Sequence, residues 1–230
     1  LSAGASDKVV VPDASYSGVG TAWTHLTGYD DSSWSDGATA VGFDVAPTSP
    51  LDSLIIHDIE GAMEGVNSSA YIRMPFTYAS STDDLLRLTL DMKYDDGFVA
   101  YLNGVEVARA NAPASLAYNS SATDDRLDAD ALAFESFIID DAASILQTGA
   151  NMLAVHGLSA SIGDENFLIL PELIAVTGDI TAPETISYFG EGTPGAANVS
   201  ETGSDPNKRI IINELHVNPA VKTEPVEFIE

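Results

Sequence analysis

The sequence predicts an all-β protein built as an antiparallel β-sandwich. Alternation of apolar and polar residues with period two, which is typical of a half-buried strand, recurs along the chain. Only one short segment has a helical pattern, so the strands do not alternate with helices as they do in an α/β protein. An Asn-Gly pair between two apolar runs adds the signature of a tight β-hairpin. Many short strands separated by turn residues favour a sandwich.

The first well-defined strand is predicted at residues 69–78. One face carries Ala70, Ile72, Met74, Phe76 and Tyr78, and the other carries Ser69, Tyr71, Arg73, Pro75 and Thr77. This alternation predicts a half-buried strand, and Pro75 places it at a sheet edge or at a bulge because proline has no N–H to donate. Weaker candidates precede it at residues 9–11, 39–43 and 54–57.

The next strand is predicted at residues 86–92, where Leu and Met alternate with polar residues. Asp95-Asp96-Gly97 then forms a predicted turn that ends this strand. Residues 98–102 and 105–108 flank Asn103-Gly104 and form the clearest hairpin, because Asn-Gly is the preferred dipeptide of a type I′ turn.

Three more strands are predicted at residues 134–139, 152–158 and 167–176. A helix of a turn or two is predicted at 141–147, with Gly149 as the glycine that ends it. Residues 1–178 therefore form the sandwich. Residues 179–207 are rich in Gly, Pro, Ser and Thr and are expected to be a linker. Residues 208–230 contain two more strand patterns and are either the start of another domain or a strand-donating tail.

Charge excludes several classes of partner. The chain has 230 residues, 9 Lys plus Arg against 35 Asp plus Glu, a formal net charge of −26 and no cysteine. Such a charge repels phosphate backbones and anionic lipid surfaces, so neither nucleic acid nor a membrane surface is an expected partner. No apolar run approaches the roughly 20 residues that span a bilayer, so membrane insertion is not expected either. The absence of cysteine agrees with export from a bacterium but does not establish it.

Four stretches, in order along the chain, carry a family resemblance. They are residues 29–34 with Gly37 and 41–43, residues 70–73 with Phe76, residues 94–109 with 111–113, and residues 149–157. Together they resemble a galactose-binding-like jelly roll, a module of large exported bacterial proteins that often lies beside lamin-tail or CotH-like domains. The resemblance implies a jelly-roll sandwich in a secreted or cell-surface protein. Residues 210–215, with Asn218-Pro219 and 227–230, are similar to the first strands of a lamin-tail domain.

No catalytic site is expected from the sequence. Covalent catalysis needs a nucleophile with a base in reach, and the chain has neither cysteine nor a Gly-x-Ser-x-Gly elbow. His25, His57, His156 and His216 are scattered without the spacing of zinc ligands. His156 is expected to be a hydrogen-bonded core or interface residue. We therefore predict that this segment is not an enzyme, although its parent protein could carry a catalytic domain elsewhere.

Calcium is the one expected cofactor. It binds six to eight oxygen ligands, which turns rich in carboxylates supply. Asp95 and Asp96 precede a glycine between two predicted strands, and Asp164 and Glu165 lie in another predicted turn. The alternative is turn chemistry, in which an Asp side chain bonds nearby backbone.

Sugar binding requires aromatic faces and polar groups that hold the hydroxyls. The aromatic candidates are Trp23, Trp34, Tyr29, Tyr94, Tyr101 and Tyr118. From these we predict a ligand site at Trp34, Tyr94, Tyr101 and Arg109. Alternatively, Trp34 packs the end of the sandwich, and Tyr101 and Arg109 are cross-strand partners in the hairpin.

Two functions follow from these features. The first is a non-catalytic module, carbohydrate-binding or adhesive, of an exported multidomain bacterial protein, stabilised by calcium, with a polysaccharide or glycan as partner. The second is a structural subunit of a cell-surface fibre or layer, in which neighbouring subunits or domains associate by strand addition.

Overall fold

The computed structural model describes residues 1–45 and 50–178, and the backbone of two short strands at residues 187–189 and 200–202. The chain divides into two compact units, Leu1–Asp179 and Ile180–Glu230. In the second unit, strands Ser187–Phe189 and Ser200–Thr202 pair antiparallel. The lamin-tail resemblance and the strand patterns at 208–230 lie outside the described residues.

The first unit is a two-layer β-sandwich, which confirms the predicted all-β class. Strands are numbered in chain order. The six-stranded sheet contains, from edge to edge, β2 (Ser35–Ala38), β1 (Ser6–Val10), β5 (Ser69–Tyr78), β10 (Gly149–Leu158), β7 (Gly97–Leu102) and β8 (Val105–Ala110). The five-stranded sheet contains β4 (His57–Asp58), β3 (Val41–Asp44), β11 (Asn166–Thr177), β6 (Leu85–Asp95) and β9 (Glu135–Ile138). All pairs are antiparallel except β3 with β4.

The helices of this unit are single turns. The α-helical turns are Glu60–Met63, Asp128–Ala131 and Ala142–Ile145, and the 3₁₀ turns are Ala14–Gly18, Ala22–Thr24, Asp52–Leu54 and Thr82–Asp84. The helix predicted at 141–147 is therefore present but shorter. Among the described residues, no helix has the length and apolarity that a membrane span requires.

The core lies between the two sheets. Ile72, Met74, Leu90, Phe98, Leu153 and Phe167 are among the side chains that are completely buried there. Gly157 allows the sheets to approach closely, because a Cβ at this position would lie 2.5 Å from Cζ of Phe167. The sandwich therefore depends on a glycine near the C-terminal end of β10.

The outer face of the six-stranded sheet is covered by the segment that connects β1 with β2. Trp23 of this segment stacks on Tyr71 with ring centroids 4.2 Å apart. The guanidinium of Arg73 donates to Asp31 Oδ2 at 2.6 Å and to the carbonyl oxygens of Trp23 and His25. The prediction that β5 is only half-buried is therefore wrong, since residues 69–74 are buried on both faces.

The edge position predicted for β5 is also wrong, since the strand lies between β1 and β10. Pairing with β1 ends at Arg73, however, so Pro75 needs no donor on that side. The strand predicted at 54–57 is replaced by the 3₁₀ turn Asp52–Leu54 and the two-residue strand His57–Asp58.

The predicted hairpin is confirmed. Strands β7 and β8 flank Asn103-Gly104, with φ of 51° at Asn103 and 91° at Gly104. Two positive φ angles are the requirement of a type I′ turn.

Candidate functional site

Two carboxylates occupy the point where the chain passes from one sheet to the other. Asp95 ends β6 in the five-stranded sheet, Asp96 is the connecting residue, and Gly97 begins β7 in the six-stranded sheet. The side chains of Asp95 and Asp96 are buried, with 0% and 1% of each residue exposed. A buried charge is costly unless it is paired or binds a cation.

The two carboxylates differ in their partners. Asp96 accepts backbone N–H groups from two separate loops, Arg126 N to Oδ1 at 2.7 Å and Ala160 N to Oδ2 at 2.6 Å. Neither carboxylate oxygen of Asp95 has a hydrogen-bond donor. The two loops and the strand end therefore converge on a pair of buried acids, one of which is unsatisfied.

Burial and neighbouring like charge disfavour ionisation of both carboxyl groups. Burial is the main cause that raises the pKa of Asp95, and the charges of Asp96, Asp128 and Asp164 raise it further. Burial also raises the pKa of Asp96, although its two backbone N–H partners oppose the shift. Without a balancing cation, the pair therefore holds a proton more tightly than exposed carboxylates do.

Carboxylate oxygens are the type of ligand that calcium binds. Among the described residues, no three acidic or histidine side chains are already gathered as a metal cage. A calcium ion at Asp95 and Asp96 would therefore need further oxygen ligands to reach the six to eight that it binds. Glu165 is exposed and contributes its backbone, which donates to Asp164 Oδ1 at 2.9 Å.

Turn chemistry, the alternative interpretation of the acidic residues, applies to several others. Asp30 Oδ1 accepts from Ser32 N at 3.0 Å, and Asp13 Oδ1 accepts from Ser15 N at 2.8 Å. The Asp96 carboxylate instead bonds residues 30 and 64 positions away. Nothing in the local sequence marks Asp128, whose Oδ1 accepts a hydrogen bond from Asn166 Nδ2 at 3.1 Å.

A second candidate site lies on the outer face of the six-stranded sheet. A cavity of about 290 Å³, named here the aromatic cleft, opens there. Its aromatic walls are Tyr16, Trp23, Tyr71, Tyr101 and Tyr118, and Glu106 and Arg109 are its charged residues. Apolar faces beside a charged pair are the elements that carbohydrate recognition uses.

Tyr101 and Arg109 both line the aromatic cleft, and both also have the cross-strand partners expected of a hairpin. Tyr101 lies opposite Glu106 in the β7–β8 ladder. Arg109 donates from Nε and from a terminal nitrogen to the two carboxylate oxygens of Glu106, at 2.6 and 2.9 Å. This exposed ion pair holds Arg109 in a fixed orientation at the cleft.

Trp34 and Tyr94 are both buried, and neither lines the aromatic cleft. Trp34 is 4% exposed and lies beside Trp23 and Tyr29. Tyr94 is also 4% exposed; its hydroxyl donates to Glu135 Oε2 at 2.7 Å, and the guanidinium of Arg126 covers its ring. Tyr94 lies on β6, in the other sheet, so the structure separates it from the cleft.

The sequence identifies only some of the other aromatic residues of the cleft as candidates for sugar binding. Trp23 and Tyr118 were among the aromatic candidates, whereas Tyr16 and Tyr71 were not. In the predicted strand, Tyr71 lies on the polar face. An aromatic residue on that face is the feature of the sequence that indicates an aromatic side chain on the outer surface of the sheet.

His156 is a core residue, as predicted. It is 3% exposed, and its Nε2 lies 2.8 Å from Oγ of Ser69. Burial lowers the pKa of His156 to about 3. The ring is therefore neutral at physiological pH and packs edge-on against Tyr71 beneath the cleft.

No family model and no curated protein matches this chain. Among solved structures, the chain is similar to a calcium binding mutant of beta-glucuronidase 2 from Bacteroides uniformis, with 14% identity and a TM-score of 0.42 over 74% of this chain and 17% of that one. A beta-glycosidase from Bacteroides vulgatus shares 14% identity, with a TM-score of 0.41 over 77% of this chain and 20% of that one. A beta-glucuronidase from an uncultured Clostridium shares 17% sequence identity, with a TM-score of 0.41 over 69% of this chain and 22% of that one. The matched region is a minor part of each enzyme.

Proposed function

We propose that the first unit is a carbohydrate-binding β-sandwich module and that the sugar binds in the aromatic cleft. The observation that carries this proposal is the grouping of five aromatic walls with a bidentate Glu106–Arg109 pair in one cavity. Tyr16 and Tyr118 are partly exposed and offer apolar surface to the C–H face of a pyranose, whereas Trp23, Tyr71 and Tyr101 are almost completely buried. The charged pair offers donors and acceptors to the sugar hydroxyls. Binding at this cleft requires no chemical step, so the cleft is proposed to be non-catalytic.

The volume of the cavity and the net charge of the protein restrict the class of ligand that the cleft binds. The cavity volume of about 290 Å³ lies near the lower end of the roughly 300–1,000 Å³ that is typical of small-molecule sites. It therefore suits a single sugar residue or the end of a glycan chain. The net charge of −26 repels polyanionic glycans, so the proposed ligand is a neutral glycan.

The test is titration of the protein with galactose, lactose and neutral xylan and glucan oligosaccharides, monitored by tryptophan fluorescence and calorimetry. Trp23 lines the cleft, so its emission should change on binding. Arg109→Ala and Tyr118→Ala should each weaken binding at least about tenfold, since each removes a contact worth roughly 1.4 kcal/mol or more.

The matched control is Arg87→Ala, an exposed arginine on β6 of the other sheet, which should bind like the wild type. Absence of saturable binding across the panel, or equal loss in the Arg87 variant, would remove the aromatic cleft as the site.

We also propose that calcium at Asp95 and Asp96 stabilises this unit. The supporting observation is the completely buried Asp95 carboxylate, whose two oxygens lack donors. A cation there would balance the like charges that raise the pKa of both groups. It would also join the two sheets and the loops of Arg126 and Ala160, which Asp96 already binds.

The proposed setting is the secreted or cell-surface part of a multidomain bacterial protein, where calcium and glycans are both accessible.

A structural role by strand addition is the second candidate. The observation that favours it is β8, an edge strand of six residues with Val105 47% exposed. Such an edge offers unpaired backbone groups to a neighbouring strand.

A further inference from the structure

A serine, a histidine and an aspartate from three strands meet at one edge of the sandwich. Nδ1 of His57 lies 2.6 Å from Oδ1 of Asp7, and Nε2 of the same ring lies 3.2 Å from Oγ of Ser35. Asp7 belongs to β1 and Ser35 to β2 of one sheet, whereas His57 belongs to β4 of the other. Both sheets therefore contribute to this trio.

Strand register explains how these distant residues come together. Asp7 pairs with Gly37, and Val9 pairs with Ser35, so the side chains of Asp7 and Ser35 lie on the same face of the β1–β2 ladder. Gly37 stands between them, and the ring of His57 occupies the space that a Cβ at Gly37 would fill. A larger residue at position 37 would therefore displace the imidazole.

The hydrogen bonds of His57 determine which of its two ring nitrogens donates and which accepts. The Asp7 side chain is completely buried, and its Oδ2 has no partner, so the imidazole Nδ1–H is the group that this carboxylate holds. Nε2 is then left as an acceptor that faces the Ser35 hydroxyl. Ser35 Oγ also lies 3.0 Å from the carbonyl oxygen of Val9, which offers the hydroxyl proton a second acceptor. A nucleophile, a base and a residue that orients the base are thus arranged in series.

Ser35 also faces a cavity large enough for a substrate. The cavity has a volume of about 700 Å³, and its walls include Ser35, Val9, Ile59, Asn67, Asn119 and Ser121. Ser35 itself is exposed, in contrast to the buried aspartate. β2 is an edge strand, so one side of its backbone is not paired with another strand of the sheet.

We propose that Ser35, His57 and Asp7 form a nucleophilic site that cleaves neutral acyl esters. Ser35 Oγ attacks the ester carbonyl and forms the Oγ–C bond, while His57 Nε2 takes the hydroxyl proton. The C–O bond to the alcohol breaks, and the alcohol leaves with that proton. Water, deprotonated by the same nitrogen, then hydrolyses the acyl-serine to the free acid and restores Ser35. Asp7 is a positioning residue that holds the ring.

The cavity walls are mostly uncharged but include Asp13, and this acid together with the net charge of −26 favours an uncharged ester. A purely structural interpretation makes the trio a link between two sheet edges. That interpretation gives Ser35 no more reactivity than any other exposed serine, and this difference is measurable.

The experiment is covalent labelling of the full chain with diisopropyl fluorophosphate, followed by peptide mass spectrometry of every serine. Attack by Ser35 forms an Oγ–P bond and expels fluoride. The expected result is selective modification of Ser35 in the wild type. His57→Gln should slow it by about 100-fold or more, the usual contribution of a general base. Ser35→Ala should abolish the label, and Ser32→Ala, at another exposed serine, should leave it unchanged.

Hydrolysis of p-nitrophenyl acetate, with detection of acetyl on the Ser35 peptide, provides a second readout in the unmodified protein. Modification of no serine, or equal modification of Ser35 and Ser32, overturns the proposal from the wild type alone. Unchanged labelling in a folded His57→Gln variant also overturns it.

Discussion

At the scale of single residues, Asp95 is a buried acid whose ionised form folding disfavours. Its carboxylate is buried without a donor and lies beside a second buried acid. Its ionisation therefore opposes folding unless a cation is bound, and two predictions follow from this conflict.

The first prediction is that calcium changes the stability of Asp95→Asn relative to the wild type. In chelator, the variant should be at least as stable as the wild type, because Asp95 must take up a proton to be buried, whereas the amide of Asn is uncharged in both the folded and the unfolded state. In millimolar calcium, the wild type should gain melting temperature and the variant should not, since a ligand of the folded state stabilises it by mass action. Thermal melts in both buffers measure this, with Asp83→Asn in an exposed turn as the control. Equal melting of the wild type with calcium and with chelator would count against the site.

The second concerns pH. The pKa of Asp95 is raised in the folded protein, so the folded state binds more protons than the unfolded state above the ordinary carboxyl range. The free energy of unfolding in chelator should therefore fall as pH rises from about 4, and it should fall less in Asp95→Asn. Urea titrations at pH 5, 6 and 7 give the two slopes. Parallel slopes would show that Asp95 ionises freely in the folded protein.

At the scale of elements, the close approach of the two sheets depends on Gly157 in β10. A Cβ there would lie 2.5 Å from Cζ of Phe167 and 2.8 Å from Cγ1 of Ile169, both on β11. Gly157→Ala should therefore destabilise the fold by about 1–3 kcal/mol, the usual cost of overpacking a core. Chemical denaturation measures the change. Gly163→Ala, where nothing lies within 4 Å of the new Cβ, is the control and should change stability by less than about 0.5 kcal/mol.

The β7–β8 hairpin shows how a local signal acquires a tertiary role. Asn103 occupies the positive-φ turn position that the sequence predicts. Its Nδ2 also donates to Ile145 O at 2.9 Å and to Asn151 Oδ1 at 2.8 Å, and its Oδ1 accepts from Met152 N at 2.9 Å. The turn residue therefore also ties the hairpin to β10 and to the helical turn before it.

At the scale of the whole molecule, the first compact unit ends at Asp179. The remaining segment contains apolar strand patterns at residues 210–215 and 226–229, too few to bury a core by themselves. Deletion of residues 206–230 should leave the melting temperature of the first unit nearly unchanged and abolish any self-association. Calorimetry and sedimentation at rising concentration test the two parts. Unfolding of the shortened chain would mean that the deleted segment is an intrinsic part of the sandwich.

The sequence by itself determined the class of fold and most of its strands, because period-two alternation and the Asn-Gly turn are local consequences of backbone geometry and side-chain direction. It also marked Asp95 and Asp96, since a paired-acid turn before glycine is visible in a few residues. Only the tertiary structure decided that both faces of β5 are buried, because the covering segment of Trp23 lies far away in sequence. It alone joined Asp7, Ser35 and His57, and it alone divided the aromatic candidates between core and cleft. Burial and proximity depend on which strands pair, and strand pairing is set by the packing of the whole chain.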